Sequence, residues 1–364
     1  MESEPLTECK MIIDFSKEIS LKSLFPQTEF EEKVIFFLQE WFSESTTVKV
    51  QTSGSTGNPK IFDVEKKKML HSAKTTCDIL GLKMADSAII CLPIEYISGK
   101  MMVVRAIERG LKLVLKTPSS IPLSELEQEI DFCAMSPLQV ENSLDKIHFI
   151  KNLIIGGAAI SENLKNKIIT TLQNHQTSTD NHQPRIYETY GMSETLSHIA
   201  LKEIYPKADE CFTVLDGIEI SLDEKGCLKI NAPKLNPEIL QTNDLVEINE
   251  ENQFKFLGRI DNVINSGGAK IFPEELEALV KKEIPNEVAF VGVPDETLGQ
   301  KLIIIVENVS LDQIHEKEII NQLSQINYQQ KFHQPKKIIF IDTFPRFDNG
   351  KLNRLELLDL LKGN

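Results

Sequence analysis

The stretch that decides the fold is QTSGSTGNPK, which runs from Gln51 to Lys60 and gathers hydroxyls and glycines ahead of one lysine. Glycine lets backbone N–H groups approach an anionic oxygen closely, hydroxyls donate further hydrogen bonds, and the lysine adds positive charge. The pattern is therefore typical of a phosphate-binding loop. It is not a Walker loop, because that motif needs Gly-Lys followed by Ser or Thr, whereas here Pro59 precedes the lysine and Ile61 follows it. Taken alone, these residues also fit a polar turn.

Outward from this loop, short apolar runs alternate with amphipathic segments from about Asp86 onward. This alternation is the pattern of βα units around a buried sheet, and it predicts an α/β fold with a mostly parallel sheet. The predicted strands are 87–92, 111–115, 132–135 and 149–155, and the predicted helices are 100–108, 123–130 and 161–172. Near Asp216 the pattern changes to hairpins, 217–222 with 227–231 and 245–248 with 254–257, which predicts a small antiparallel β module.

After residue 259 the sequence predicts a separate α+β domain of about 100 residues, a size that folds independently. Its first helix begins at Pro273, with Glu274 and Glu275 in the first turn, where the helix dipole favours negative charge. The further predicted strands are 287–293, 301–306 and 337–341, and the further helices are 311–326 and 352–361. We therefore predict a large domain over 1–260 and a small mobile domain over 261–364.

Composition limits the classes of function. The chain has 364 residues, 41% hydrophobic and 26% charged, which fits a globular protein with a substantial core. Its net charge of −14 argues against a nucleic-acid binder or a reader of anionic membranes. The six cysteines form no CxxC pair and predict reduced packing residues. No apolar run reaches bilayer length, so we expect a cytoplasmic protein without membrane insertion, whose oligomeric state stays open.

Three later stretches add to the first loop: YGMSET at 190–195, GRID at 258–261 leading to SGGAKIFPEELE at 266–277, and PRFDNGK at 345–351. Together with the first loop and in the same order, they resemble the motifs of the adenylate-forming superfamily of acyl- and aryl-CoA ligases. The resemblance covers roughly residue 45 to the C-terminus. It implies an enzyme that uses ATP and Mg²⁺ to convert an acid into an acyl-adenylate and then transfers the acyl group to CoA. Less sequence precedes the first loop than in most members, so we expect a largely lost N-terminal subdomain.

The same resemblance implies a nucleotide site. Tyr190 would stack on adenine, Glu194 would hold Mg²⁺ because hard cations prefer carboxylate oxygen, and Thr195 would touch the α-phosphate. Asp244 and Arg259 would bind the ribose hydroxyls. The family's Thr-Gly-Asp is here Thr-Asn-Asp, a departure expected to be mild because asparagine tolerates positive φ nearly as glycine does. The remaining residues assigned to ATP or AMP are Thr52, Ser53, Gly54, Ser55, Thr56, Gly57, Lys60, Gly191, Met192 and Ser193.

Two further regions carry the reaction in this resemblance. Lys351 would stabilise the charge of the adenylation transition state, with Glu194 and Thr52 as the other catalytic residues. Asp261 stands at the hinge about which the small domain rotates between the half-reactions. The rotated domain would present a glycine-containing loop to the pantetheine arm of CoA. The loop residues assigned to CoA are Ser266, Gly267, Gly268 and Lys270.

The acid pocket is implied by LPIEYISG at 92–99, in which Tyr96 takes the place of the family's histidine. Peptide-synthetase domains carry an aspartate there, so its absence argues against an amino-acid substrate. The residues assigned to the acid are Tyr96, Ser98, Gly99, Gly156, Gly157, Ala158, Arg105 and His198.

The small residues after position 155 leave room for a planar ring. Arg105, His198 and Lys100 are candidates to bind a second carboxylate, although a solvated charge or a packed histidine is an alternative reading of each. The whole pattern looks most like the o-succinylbenzoate–CoA ligases of menaquinone synthesis. Another acyl- or aryl-CoA ligase, an enzyme that loads a carrier protein, and a non-catalytic adenylate-binding regulator are the alternatives.

Overall fold

The computed structural model describes residues 11–51, 61–175, 183–308, 313–346 and 352–362. The phosphate-loop residues Thr52–Lys60 and the predicted catalytic Lys351 lie outside the described residues. The helices are α1 Glu29–Trp41, α2 Lys66–Ile79, α3 Ile97–Arg109, α4 Pro137–Glu141, α5 Glu162–His175, α6 Pro273–Val280, α7 Gln313–Gln325 and α8 Arg354–Lys362. The strands are β1 Ile12–Asp14, β2 Thr47–Gln51, β3 Ile61–Glu65, β4 Ser87–Ile90, β5 Lys112–Leu115, β6 Ile130–Met135, β7 Ile150–Ile155, β8 Arg185–Gly191, β9 His198–Tyr205, β10 Phe212–Val214, β11 Glu219–Leu222, β12 Cys227–Asn231, β13 Leu240–Ile248, β14 Gln253–Arg259, β15 Ile264–Ser266, β16 Ala269–Ile271, β17 Val288–Asp295, β18 Gly299–Glu307 and β19 Ile338–Ile341.

The described chain groups into two compact units. The first contains residues 11–159, Ile168–Ile218 and Ala232–Glu238, and the second contains Ile160–Lys167, Glu219–Asn231 and 239–362. The predicted boundary between residues 260 and 261 stays a prediction.

The first unit is built on a sheet in the order β1-β5-β4-β6-β7-β8-β9-β10. Strands β5, β4, β6, β7 and β8 are parallel neighbours, while β1, β9 and β10 join antiparallel. The predicted parallel strands and the helices corresponding to α3 and α5 are therefore confirmed. Because the parallel strands run the same way, their carboxyl ends lie along one edge of the sheet.

One predicted element is wrong, since residues 123–130 do not form a helix. Leu123 and Leu126 are buried, as the apolar spacing indicated, but a single turn achieves this burial, closed by the Leu126 N–H donating to the Leu123 carbonyl at 2.9 Å. Ile130 then begins β6 and pairs with Ile150. One turn is enough to bury two leucines that are three residues apart, and the end of the segment pairs as a strand.

The part of the chain before β4 contains elements that the apolar pattern did not reveal. Helix α1 opens with a capping box, in which Thr28 and Glu31 each accept a backbone N–H of the other, and it buries Val34, Leu38 and Trp41 in the core of the first unit. Strands β2 and β3 form an antiparallel hairpin that pairs Gln51 with Ile61. The hairpin thus flanks the quoted loop on both sides.

The second unit contains the predicted antiparallel module, in the order β14-β13-β12-β11, and a sheet of β16-β15-β18-β17 with β19 parallel to β18. Alternate residues of β17 and β18 pack on opposite faces: Phe290 joins one core with residues of α6 and α7, and Val291 joins another with Leu357 of α8. The predicted hairpins and α+β elements are confirmed.

The described cysteines are free thiols, and Cys211 is the only one of them that is not buried. None of the helices in the described ranges has the length and apolar character needed to span a bilayer.

Candidate functional site

In the first unit, several predicted site segments follow the carboxyl ends of parallel strands. Residues 156–158 follow β7, and the turn at 192–195 follows β8. Residues 91–96 connect β4 to α3, whose first turn contains Ser98 and Gly99. Open α/β sheets bind ligands along this edge, so the topology places the segments assigned to the acid and to the nucleotide on the same side of the sheet.

The turn that carries Glu194 is held by its own neighbours. Ser193–Thr195 forms one 3₁₀ turn, in which the hydroxyl of the fully buried Thr195 accepts the Met192 N–H at 3.0 Å. That hydroxyl also lies within donating distance of two carbonyls of the same segment, 2.9 and 2.8 Å away. The described contacts of Thr195 therefore hold the turn, and its contact with the α-phosphate stays a prediction. Leu196 follows with φ of +64°, a conformation that non-glycine residues adopt only when their surroundings enforce it.

Glu194 itself is exposed, and its carbonyl accepts a hydrogen bond from Asn236 Nδ2 at 3.3 Å. Within the described ranges no ion pair engages its carboxylate, and no group of three or more His, Cys, Asp or Glu residues is arranged to hold a metal. One exposed carboxylate fits Mg²⁺, which commonly takes one or two protein carboxylates and completes its shell with water and phosphate oxygens.

Three glycines assigned to ligand binding are also required by close packing. A Cβ at Gly99 would lie 2.2 Å from the Pro93 carbonyl oxygen, and one at Gly191 would lie 2.4 Å from that of Ser197. A Cβ at Gly156 would lie 2.4 Å from Thr189 Oγ1. At Gly99 and Gly191 the neighbouring atom is backbone, so only glycine allows the approach, whereas at Gly156 the Thr189 side chain would have to move. In contrast, Gly157 is exposed with φ of +88° and open space around it, and Ala158 is half-buried.

Tyr190 and Tyr96 are both half-buried. The ring of Tyr190, near the end of β8, lies 5.8 Å from that of Phe212, so a partner ring is already present beside the residue assigned to adenine. Tyr96 caps α3 and forms an isolated parallel bridge with Gln51, next to the quoted loop. Ser98 is exposed.

Arg105, one candidate for binding a second carboxylate, is buried in a polar cluster. It is 2% exposed, its Nη2 donates to Ser197 Oγ at 2.6 Å, and its Nη1 lies 3.8 Å from Met102 Sδ. Ser197 Oγ is 3.3 Å from His198 Nδ1, and His198 Nε2 is 3.2 Å from Thr76 Oγ1. Among the described residues, no carboxylate pairs with this guanidinium, and its Nε has no hydrogen-bond partner.

Burial determines the charge of the cluster. It lowers the pKa of Arg105 to about 10, which still leaves the guanidinium charged at neutral pH. Burial, together with the nearby Arg105 charge, holds the pKa of His198 well below its usual value, so the imidazole is neutral. His198 also lines a narrow cavity of about 10 Å³, together with His71 and Lys234, which has room for one water molecule.

The third candidate, Lys100, is engaged elsewhere. Its Nζ donates to the Lys49 carbonyl at 2.7 Å and lies 4.9 Å from the centre of the Phe37 ring. Lys100 therefore ties α3 to the β2–β3 hairpin. The structure places Arg105 and His198 together through Ser197, a residue that the sequence analysis missed, and places Lys100 apart from them.

The residues assigned to ribose form a compact group in the second unit. Asp244 and Arg259 are register partners of β13 and β14, with Arg259 Nη1 3.5 Å from Asp244 Oδ1. Arg259 Nη2 also lies 2.7 Å from Asp261 Oδ2, and this hydrogen bond lowers the pKa of the Asp261 carboxyl. Asn243 Nδ2 donates to the same carboxylate, 3.2 Å from Oδ1 and 3.0 Å from Oδ2.

The expectation that Asn243 replaces glycine because it tolerates positive φ is wrong. The residue lies within β13, and the described non-glycine residues with positive φ are Ala85, Leu196 and Asn252. Asn243 therefore does not replace glycine by adopting a left-handed conformation. Its side chain has a contact instead.

The segment assigned to CoA is a tight hairpin. Ser266 pairs with Ala269 across two glycines, whose φ values of +57° and +83° fit a two-residue turn. The Gly267 N–H donates to the Leu298 carbonyl at 2.8 Å, Ser266 is buried, and Lys270 is exposed. The role of this hairpin in binding CoA stays a prediction.

A buried ion pair lies close in sequence to Lys351. Arg354 Nη2 donates to both carboxylate oxygens of Glu277, at 2.8 and 2.6 Å, and Nη1 donates to the Phe290 carbonyl at 3.2 Å. The Phe290 N–H in turn donates to Glu277 Oε1 at 2.8 Å. The pair thus joins the start of α8 to α6 and β17. Sequence reasoning missed it because its partners lie 77 residues apart.

Comparison with known proteins identifies the family of the chain. A family profile described as AMP-binding enzyme matches residues 4–230. The chain is 25% identical over 365 residues to a 2-succinylbenzoate–CoA ligase of Listeria monocytogenes, covering 91% of this chain and 73% of that protein.

Two solved structures extend the comparison. An acyl-CoA synthetase (AMP-forming)/AMP-acid ligase II-like protein from Dyadobacter fermentans is 31% identical with a TM-score of 0.62, covering 97% of this chain and 99% of that one. An O-succinylbenzoate coenzyme A synthetase from Bacillus subtilis, in complex with ATP and magnesium ion, is 20% identical with a TM-score of 0.68, covering 85% of this chain and 69% of that one. The predicted fold class is confirmed.

Proposed function

Because the chain belongs to the AMP-binding enzyme family, we propose that it is the ligase that joins o-succinylbenzoate to CoA. The class of enzyme is that of the AMP-forming acyl- and aryl-CoA ligases, as the sequence predicted, with ATP, Mg²⁺ and CoA as the class's cofactor and co-substrates. The identity of the acid and the role of each residue are the proposal.

The observation that carries the choice of acid is the buried Arg105. Burying a guanidinium that has no carboxylate partner in the described part of the chain costs free energy, and an anion bound beside it offsets part of this desolvation cost. Arg105 lies on α3, which begins with the segment assigned to the acid. Its partner Ser197 comes two residues after the Glu194 turn. A dicarboxylic acid fits this arrangement, since one carboxylate is activated while the other pairs with Arg105.

o-Succinylbenzoate has this chemistry, with one carboxylate on the ring and a second at the end of the succinyl chain. The named relative from Listeria monocytogenes is a 2-succinylbenzoate–CoA ligase, which supports this substrate. The neutral His198 adds no second buried charge beside Arg105.

In the first half-reaction, an oxygen of the succinyl carboxylate attacks the α-phosphorus of ATP and pyrophosphate leaves. Asp244 and Arg259 hold the ribose and Tyr190 stacks on the adenine. Glu194 would hold Mg²⁺, which would neutralise phosphate charge. Thr52–Lys60 bind the phosphates and Lys351 stabilises the charge that develops on them. In the second half-reaction, the CoA thiolate attacks the acyl carbon and AMP leaves.

The test supplies ATP, Mg²⁺ and CoA with o-succinylbenzoate, and in parallel with benzoate and a fatty acid, and measures AMP and acyl-CoA. We expect AMP and thioester in equal amounts and the highest kcat/KM with o-succinylbenzoate. Higher turnover of another acid would overturn the proposed substrate, and AMP release without thioester, restored by a carrier protein, would overturn CoA as acceptor. Tight ATP binding with no AMP from any acid would indicate a non-catalytic regulator.

A further inference from the structure

Asn243 stands where the family motif has glycine, and the structure gives its side chain a partner, the carboxylate of Asp261. We infer that Asn243 is a positioning residue, which holds Asp261 and thereby sets the position of Arg259 beside Asp244. The inference rests on the proposed function through one premise, that Asp244 and Arg259 bind the ribose of ATP.

The strand register makes this contact possible. Asp244 and Arg259 are opposite each other on β13 and β14, so their side chains share one face. Asn243 precedes Asp244 by one residue. The 3₁₀ turn Ile260–Asn262, which follows β14 directly, brings the Asp261 carboxylate back to the Asn243 amide. Three consecutive contacts therefore run from Asn243 through Asp261 and Arg259 to Asp244.

The charges explain what the asparagine adds. Arg259 lies between two carboxylates, 2.7 Å from Asp261 and 3.5 Å from Asp244, so it is shared unequally and the shorter contact is to Asp261. An amide donor at position 243 satisfies both oxygens of Asp261 without adding charge. With glycine at position 243, Arg259 would be the one remaining donor to Asp261 among the contacts described, and its guanidinium would be held more firmly at the Asp261 carboxylate. Asn243 thus frees part of the Arg259 guanidinium to face Asp244 and the ribose.

This role differs from a purely structural one in what it does to ribose recognition. Asn243→Gly should weaken ATP binding about three- to tenfold, the effect of one or two exposed hydrogen bonds. It should weaken 3′-deoxy-ATP binding less, because that nucleotide lacks one of the hydroxyls concerned. The ratio between the two dissociation constants therefore shrinks in the variant.

The experiment measures calorimetric dissociation constants for ATP and 3′-deoxy-ATP, with Mg²⁺ and without acid, so that the identity of the acid has no influence. Asn231→Gly is the matched control: Asn231 also lies at a strand position and donates to a carboxylate, Glu219 Oε2 at 2.9 Å, away from the ribose group. Asn243→Ser, which keeps a donor, should restore part of the ratio, and thermal melting verifies that each variant is folded.

We expect the ratio to fall in Asn243→Gly and to stay at the wild-type value in Asn231→Gly. Equal weakening of both nucleotides, or no weakening, would overturn the role of Asn243. A wild-type protein that binds both nucleotides equally would overturn the ribose premise as well. Failure of o-succinylbenzoate as substrate would leave these binding results unchanged, so the two failures can be told apart.

Discussion

Replacing Arg354 by alanine should destabilise the second unit severely. The guanidinium makes two hydrogen bonds to Glu277 and one to the Phe290 carbonyl, and Glu277 is 9% exposed. Without Arg354, the buried carboxylate keeps one described donor, the Phe290 N–H. Leaving one charge of a buried pair without its partner costs about 3–5 kcal/mol, so we expect a loss of that size in the free energy of unfolding.

Two further variants separate the pair from its surroundings. The double variant Glu277→Leu with Arg354→Met removes both charges and fills the volume. Replacing a buried pair in this way is often neutral or stabilising by about 1–4 kcal/mol, so we expect the double variant to be more stable than Arg354→Ala. Lys281→Ala is the control within the same unit, since its partner Glu287 is 43% exposed and an exposed pair contributes about 1 kcal/mol at most.

The assay must report on the second unit. The single tryptophan, Trp41, lies in α1 of the first unit, so its fluorescence reports on the other part of the chain. Urea titration followed by hydrogen exchange of peptides from α6 and β17 reads the second unit directly. A loss below about 1 kcal/mol in Arg354→Ala, or a double variant no more stable than Arg354→Ala, would refute the reasoning.

Three other predictions follow from the site. Lys351→Ala should slow adenylation about a hundredfold or more, yet leave thioester formation from presynthesised adenylate intact, and equal loss of both half-reactions would contradict a role confined to the first. Gly99→Ala should lower stability by about 1–3 kcal/mol in urea titrations because its Cβ would lie 2.2 Å from the Pro93 oxygen, whereas Ser98→Ala, at an exposed position, should change it little. The pKa of His198 is depressed in the folded protein, so near pH 6 and below the unfolded chain binds a proton at this residue and the folded chain does not. The free energy of unfolding should therefore fall as pH drops below about 6.5. Thermal melting at about pH 7.5 and 5.5 should show a smaller fall in His198→Gln than in the wild type, and an identical fall would contradict the assigned pKa.

Much of the fold from β4 onward could be predicted, because the buried strands are continuous apolar runs and the helices have regular amphipathic spacing. The failure at residues 123–130 shows the limit of this approach. A single turn buries two leucines at helical spacing as well as a helix does. Ile130 belongs to β6 because it pairs with Ile150, a contact that the local spacing of apolar residues does not reveal. Before β4, the capping box of α1 was a local signal that could have identified that helix.

The candidate site was predictable as a set of motifs but not as a set of contacts. Gly99 and Gly191 carry a packing requirement that depends on chain segments brought together by folding. The burial of Arg105 and its contact with Ser197 depend on the position of α3 relative to β9, which no local pattern encodes. The contact of Asn243 with Asp261 depends on the register of β13 and β14, which the sequence does not show. The sequence therefore suggested a backbone reason for the asparagine, tolerance of positive φ, and did not reveal its side-chain contact.

The most direct test of the proposed function is the acid-dependent exchange of pyrophosphate into ATP, measured with o-succinylbenzoate and with 4-oxo-4-phenylbutanoate, which lacks the ring carboxylate. The wild type should prefer o-succinylbenzoate by about a hundredfold or more in kcat/KM, the effect of a buried charge pair. Arg105→Gln should lose most of that preference while retaining exchange with the analogue. An equal rate with both acids in the wild type, or a preference that persists in Arg105→Gln, would contradict the pairing of Arg105 with the second carboxylate.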